Sequence, residues 1–272
     1  MVTIINSSRK KLKDEIIEIW DYRELLFFLT WRDIKVKYKQ SLLGAGWAIF
    51  QPLMTMAVFY FVFNKIAKID TGTVPYALFS LASILPWQFF ASSVNRSSVS
   101  LVGNTNLISK VFFPRMIIPM SAASAPVIDF LIGFVFLIGM QIFYGYYPSW
   151  NIIFLPFIIL LMFLTSLSIS TWLSALNVKY RDVTYFLPFV LQIGLFVSPV
   201  AYPVSMIPEK WRLIYRLNPL VGVLDGFRWC MFGSGTSASM YDVIFSVTMV
   251  IIIFSTGFWY FRKTENTFAD II

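Results

Sequence analysis

Between Arg32 and Trp47 the chain reads RDIKVKYKQSLLGAGW, and its first half sets Arg32, Lys35, Lys37 and Lys39 among apolar residues. Cations this dense attract phosphate, whether on nucleic acid, at the cytoplasmic face of a membrane, or in the headgroup of an anionic lipid. The rest of the reactive inventory is sparse. There is no histidine and only one cysteine, Cys230. That excludes imidazole acid–base catalysis, Ser–His and Cys–His nucleophile pairs, imidazole metal sites and an intrachain disulfide. The acids expected outside the apolar segments, Asp70, Asp182, Glu209 and Asp225, are scattered rather than paired, so an embedded transferase finds no catalytic set. No phosphate-cradling GxxxxGK[ST] run occurs, so no nucleotide, cofactor or metal is expected on this chain. Asp129 is the one charge set well inside an apolar segment. A lone carboxylate makes a poor proton relay, and the expectation is a structural hydrogen bond to Ser, Thr or Trp groups of a neighbouring helix.

The elements that must position these residues follow from composition. Of 272 residues, 58% are hydrophobic and 13% charged, against roughly 25% charged in soluble domains, and the mean hydropathy is +0.72. The fold class is therefore an all-α integral membrane protein. Six apolar segments, Leu42–Phe63, Val74–Val94, Ile117–Tyr144, Ile152–Leu176, Tyr185–Tyr202 and Val243–Phe261, read as transmembrane helices. Pro86, Pro188 and Pro199 predict kinks in the second and fifth. Residues 1–41 form an amphipathic interface region, with Ile16, Ile19, Trp20, Phe27, Trp31 and Ile34 at helical spacing from Leu12 to Lys39. They suit a helix in two pieces along the headgroups, or else a small cytosolic cap. Residues 42–272 form the six-span transmembrane domain. The N-terminus carries no cleavable signal pattern, so the first span is expected in the mature protein.

Lys and Arg cluster in alternate gaps: the N-terminal arm, then Arg96, Lys110 and Arg115, then Lys179 and Arg181, then Arg262 and Lys263. That pattern predicts cytoplasmic termini and disposes of nucleic acid as the strip's partner. Lys210, Arg212, Arg216 and Arg228 lie on the opposite side as an exception. Their segment, about 206–232, alternates polar and apolar residues at helical spacing and is broken at Asn218-Pro219. Two short re-entrant helices are expected there, with two surface amphipathic helices as the alternative. A short amphipathic helix is also expected at 104–115, capped by Asn104 or Thr105, running through Leu107–Phe113 and stopped by Pro114. It would display Ile108, Val111 and Phe112 to a groove on a soluble partner.

Four stretches, RDIKVKYKQSLLGAGWAIFQPL, LISKVFFPRMIIP, LNVKYRDV and LNPLVGVLDGFRW, occur in an order and spacing that resemble the permease subunit of bacterial polysaccharide ABC exporters of the O-antigen, capsule and teichoic acid type. The resemblance covers nearly the whole chain. It implies a homodimer of six-span permeases in the bacterial inner membrane, with two ATPase subunits that bind the ATP and Mg2+. The implied cargo is a glycan on undecaprenyl diphosphate, most simply an O-antigen. A capsule or teichoic acid exporter, or a drug or small-lipid exporter, are the alternatives. Under this resemblance Asn104, Leu107, Ile108, Lys110, Phe112, Phe113 and Arg115 are expected to couple to the ATPase. Arg32, Lys35, Lys37 and Lys39 would receive the lipid diphosphate, with Arg32 gripping it through paired hydrogen bonds. Gly44 and Gly46 would permit close helix approach beside them. Trp47, Phe50, Phe61, Phe189 and Phe196 would line a glycan path. Asn218, Pro219, Asp225, Arg228 and Trp229 would form an outer gate.

Overall fold

A computed structural model describes residues 12–39, 43–147, 150–233, 239–265 and 268. All regular structure among the described residues is helical. The N-terminal region forms two helices, α1 (Leu12–Asp21) and α2 (Arg23–Lys39), as the spacing predicts. A tight turn at Gly44–Gly46 leads into α3 (Trp47–Phe59), which continues as a π-helix over Tyr60–Ile66. Then come α4 (Tyr76–Gly103), the short α5 (Thr105–Lys110), α6 (Ile117–Ser124) and α7 (Val127–Phe143). They are followed by α8 (Leu155–Lys179), α9 (Val183–Val197), α10 (Glu209–Arg216), α11 (Leu220–Phe232) and α12 (Met240–Glu265).

Among the described residues, five helical stretches are long and apolar enough to cross a membrane: Gly44–Ile66, Tyr76–Gly103, Ile117–Phe143, Trp150–Lys179 and Met240–Glu265. The fifth expected span is shorter than its sequence suggests. α9 has 15 residues, about 22 Å at 1.5 Å per residue, less than a hydrocarbon core of about 30 Å. It ends at Ser198, just before Pro199. Helices α4 and α9 run on without interruption through Pro86 and Pro188. A break falls at Ala125-Pro126, where the third span divides into α6 and α7.

α4 is the hub, packing against α3, α6, α7, α8, α9 and α11. The reason is chemical. Lipid tails are as apolar as leucine, so membrane helices associate through close packing and hydrogen bonds rather than by hiding from water. α4 buries Ser80, Ser83, Ser93, Ser97, Ser98 and Ser100, and α8 buries Thr165, Ser166, Ser168, Ser170, Thr171 and Ser174. These small side chains let backbones approach, and several also satisfy distant carbonyls. Ser93 donates to Ala123 O at 2.8 Å and Ser97 to Pro119 O at 2.9 Å, which fastens α6 to α4.

Glycine serves the same purpose where α11 meets α12. A Cβ at Gly222 would lie 2.3 Å from the Asp242 carbonyl oxygen, and the Gly222 N–H donates to Ser246 Oγ at 3.0 Å. Gly222→Ala is therefore expected to push the two helices apart and cost about 1–3 kcal/mol, read as a lower Tm of the purified protein. Gly139→Ala is the control: nothing lies within 4 Å of a Cβ there, so the helix gains propensity and the Tm holds or rises. Gly44 and Gly46 do not serve helix approach as expected. Nothing lies within 4 Å of a Cβ at Gly44, which instead supplies the left-handed φ of +51° that turns the chain from α2 into α3. Around a Gly46 Cβ the nearest atom is Leu43 Cβ, at 3.8 Å.

Candidate functional site

One end of the bundle gathers α2, α5, the start of α6 and the ends of α4, α8 and α12. Leu29, Leu101, Ile108, Phe113, Ile117, Val178 and Phe261 make a single buried cluster there, joined by Phe268. The expected basic strip lies on α2 over this cluster, but its members part company. Arg32 donates through Nε and Nη2 to Asp33 Oδ1, at 3.0 and 2.8 Å, and through Nη2 to Asn104 Oδ1 at 3.3 Å. Lys37 donates to Asp129 Oδ2, and Tyr38 donates to Asp129 Oδ1. Lys35 sits 5.5 Å from the Trp31 ring centroid and is exposed, as is Lys39. The strip is thus not four equivalent free cations: only Lys35 and Lys39 stand open. Asp129 also departs from expectation. It occupies the first turn of α7, just past the Pro126 break, and its partners are a lysine and a tyrosine of α2. Burial, and then the bond to Asp129, hold the Tyr38 phenol well above its ordinary pKa, so it remains a donor at any physiological pH.

The expected coupling helix is shorter than its sequence signal. α5 ends at Lys110, and Val111 is extended. Asn104 does not cap it by a side-chain bond; its Nδ2 donates back to Ser100 O at 2.8 Å, while its Oδ1 accepts from Arg32. Ile108 and Phe113 are buried at 7% and 5% exposure, whereas Val111 and Phe112 stand out at 51% and 67%. Ile108 is therefore an anchor and not part of a displayed face, and Lys110, Val111 and Phe112 form the tip. Leu107 is half-buried, and Arg115 donates to the backbone carbonyl of Glu265, tying the tip to the end of α12.

Trp47, Phe50 and Phe61 lie exposed along α3 and its π-helical continuation, and Phe189 and Phe196 lie exposed on α9. Phe59 and Phe196, 6.5 Å apart, link the two helices. These five aromatics are all about half exposed.

The far end carries the residues expected to form a gate. Two helices broken at Asn218-Pro219 are present as predicted, but they differ. α10 is largely exposed. α11 is buried against α4, α8 and α12. Asn218 Oδ1 accepts the Leu220 N–H at 3.0 Å, starting α11, and its Nδ2 donates to Ser198 Oγ at 2.9 Å. Asp225 is not outside the bundle as its sequence position suggests. Asp225 and Arg228 are both buried and paired. Arg228 also donates to Ser83 Oγ at 2.9 Å and Pro199 O at 2.6 Å, with its guanidinium 4.4 Å from the Phe79 ring centroid. This clamp joins α11, α4 and the chain after α9. Trp229 is half-buried, 5.6 Å from Phe154 between ring centroids.

Sequence reasoning missed a cleft between α2, α3, α4 and α7, of about 250 Å³, whose polar lining includes Gln51 and Gln88. The signal was available: each is a carboxamide within an otherwise apolar run. No group of three or more Cys, Asp or Glu side chains converges among the described residues to hold a metal.

With this geometry in hand, comparison with known proteins is direct. The family described as ABC-2 type transporter matches residues 24–232. The O-antigen export system permease protein RfbA of Klebsiella pneumoniae is 31% identical, covering 92% of this chain and 95% of that protein. The permease of the same name from Myxococcus xanthus is 28% identical over 78% of this chain and 81% of its own length. The polysialic acid transport protein KpsM of Escherichia coli is 23% identical over 71% and 76%. A bundle of long apolar helices with this match across most of its length belongs to the ABC-2 type transporter family.

Proposed function

We propose that the chain is the transmembrane subunit of an ATP-driven exporter that moves a polyprenyl-diphosphate-linked polysaccharide, of O-antigen type, from the cytoplasm across the bacterial inner membrane. Two copies work with two ATPase subunits, and the chain itself transports without catalysing a reaction. The relatives named for O-antigen export support this cargo at the higher identity; the polysialic acid transporter supports a capsule polymer as the second reading.

The observation that carries the proposal is the Lys110–Phe112 tip. It projects an apolar pair beside the buried anchors Ile108 and Phe113, in addition to the exposed Trp20, Phe27 and Phe28 of α1 and α2. Exposed apolar groups on a buried anchor are what a groove on a soluble partner recognises. The parity of the chain supports six crossings. Val178 near the end of α8 and Phe261 near the end of α12 lie in one cluster, so the chain must cross once between them before α12 returns. α9, extended by the segment up to Pro208, is the crossing, and α11 re-enters from the far side. Both ends of the chain then share the cytoplasmic face with the ATPase. The exposed Lys35 and Lys39, with Arg32 beside them, first receive the lipid diphosphate. The aromatic faces of α3 and α9 meet those of a second copy and offer the glycan a smooth path without a deep hydrogen-bonded stop.

The test is recovery of the tagged chain from native membranes in detergent-free polymer discs, followed by mass spectrometry. An ATPase subunit and a polyprenyl diphosphate glycan are the expected companions. Recovery of the ATPase with only simple lipids or small molecules would refute the polysaccharide reading.

A further inference from the structure

The cleft behind α2 holds a combination of groups that ion pairing and helix packing do not use up. Its two charges, Lys37 and Asp129, neutralise each other. The carboxamides of Gln51 and Gln88 and the hydroxyl of Ser92 face the same space, and among the described residues none of the three makes a side-chain hydrogen bond. Gln88 and Ser92 differ in this from the buried serines of the same helix, since Ser80, Ser83, Ser93 and Ser97 all donate to carbonyls. None of the three is buried without a partner; all stay open to the cleft, where their polar groups can hydrogen-bond a polar occupant. Each carboxamide both donates and accepts, as a hydroxyl does. A row of such groups suits a ligand bearing several hydroxyls rather than an anion, which would call for unpaired cations. The remaining walls include Trp47 and Phe89, flat apolar surfaces for the C–H face of a ring. Size limits the occupant further. At about 250 Å³ the cleft falls below the ~300–1,000 Å³ of pockets for drug-sized ligands, so it has room for a single ring and not for an oligosaccharide.

We infer that this cleft binds one uncharged pyranose, the sugar next to the diphosphate of the lipid-linked glycan. The inference rests on the reading of the cargo proposed above and adds a site within each protomer that shares Trp47 with the aromatic faces of α3 and α9. Lys37 supplies the placement. It belongs to the strip of α2 and is also a wall of the cleft, so a diphosphate held at Lys35 and Lys39 has its first sugar at the mouth. In this arrangement the strip reads the charge of the carrier, and Gln51, Gln88 and Ser92 read whether a sugar is attached to it.

The experiment uses the full chain in nanodiscs, free of sugar-headed detergents, and two kinds of probe. One is citronellyl diphosphate; the other is the same molecule bearing glucose, galactose or N-acetylglucosamine. At least one glycosylated probe is expected to bind about tenfold more tightly than the bare diphosphate, the contribution of a few hydrogen bonds. Gln88→Leu and Gln51→Leu should each bring that ratio toward one while leaving the bare probe's Kd unchanged. Gln51 is the more exposed of the two, so its variant keeps the test independent of any packing disturbance at Gln88. Equal binding of all probes to the unaltered protein, a ratio preserved in both variants, or parallel loss of every probe would overturn the sugar site alone. Failure of the unaltered protein to bind any probe would defeat the lipid-diphosphate reading as well.

Discussion

Arg228→Leu is expected to be among the most destabilising single changes in the chain, at about 3–5 kcal/mol, because it leaves Asp225 as a buried carboxylate without its cation. Arg228 is fully buried, and its bonds reach α4, the chain after α9 and its own helix at once. The loss should appear as poor recovery of monodisperse protein and a Tm lowered by many degrees. The double variant Asp225→Leu with Arg228→Leu separates the charge from the packing. With both ions gone, no unpaired charge remains, and most of the loss should be restored. An Arg228→Leu protein with unchanged Tm would show that the clamp contributes little.

Phe112→Asp should abolish transport and leave the permease folded. At 67% exposure the side chain contributes little to the fold, but an aspartate at an apolar contact would be desolvated without a partner. Loss of such an anchor costs about 2–4 kcal/mol, or roughly 30- to 1,000-fold in affinity for the docked subunit. Binding of the purified ATPase to the permease in nanodiscs measures this directly. Phe113→Asp is the contrasting variant. Phe113 is 5% exposed within the cluster that closes this end, so its replacement should unfold that end rather than merely uncouple it. Normal ATPase binding by the Phe112→Asp protein would remove the tip from the coupling machinery.

What the sequence disclosed was whatever hydrophobic length and periodicity record. The two-piece helix before the first span, the long apolar helices and the break at Asn218-Pro219 are all where the pattern puts them. Pairings across distant helices left no such trace. The outer cations looked like an exception to the topology rule, yet Arg216 is paired with Asp242 and Arg228 with Asp225. In the same way, the strip at 32–39 reads as uniform until Asp33, Asn104 and Asp129 are seen to claim Arg32 and Lys37. The amphipathic pattern through Phe113 extended the short helix α5 too far because buried and exposed apolar residues look alike in sequence. Ile108 and Phe113 face inward, while Val111 and Phe112 do not.

The contacts of α4 also bear on when this chain can finish folding. Its Ser83 waits for Arg228, 145 residues later, and Lys37 waits for Asp129, 92 residues later. At a synthesis rate of about 5–20 residues per second, the hub helix spends roughly 7 to 30 s in the bilayer before its clamp is made. Each early span satisfies its own backbone bonds, and α6, α7 and α8 can pack on α4 as they arrive, but the Arg228 clamp is made only when α11 follows. A nascent chain stopped short of Leu220 would leave the serine face of α4 partly uncovered, which gives the cell's membrane proteases a simple criterion for telling an unfinished copy from a finished one.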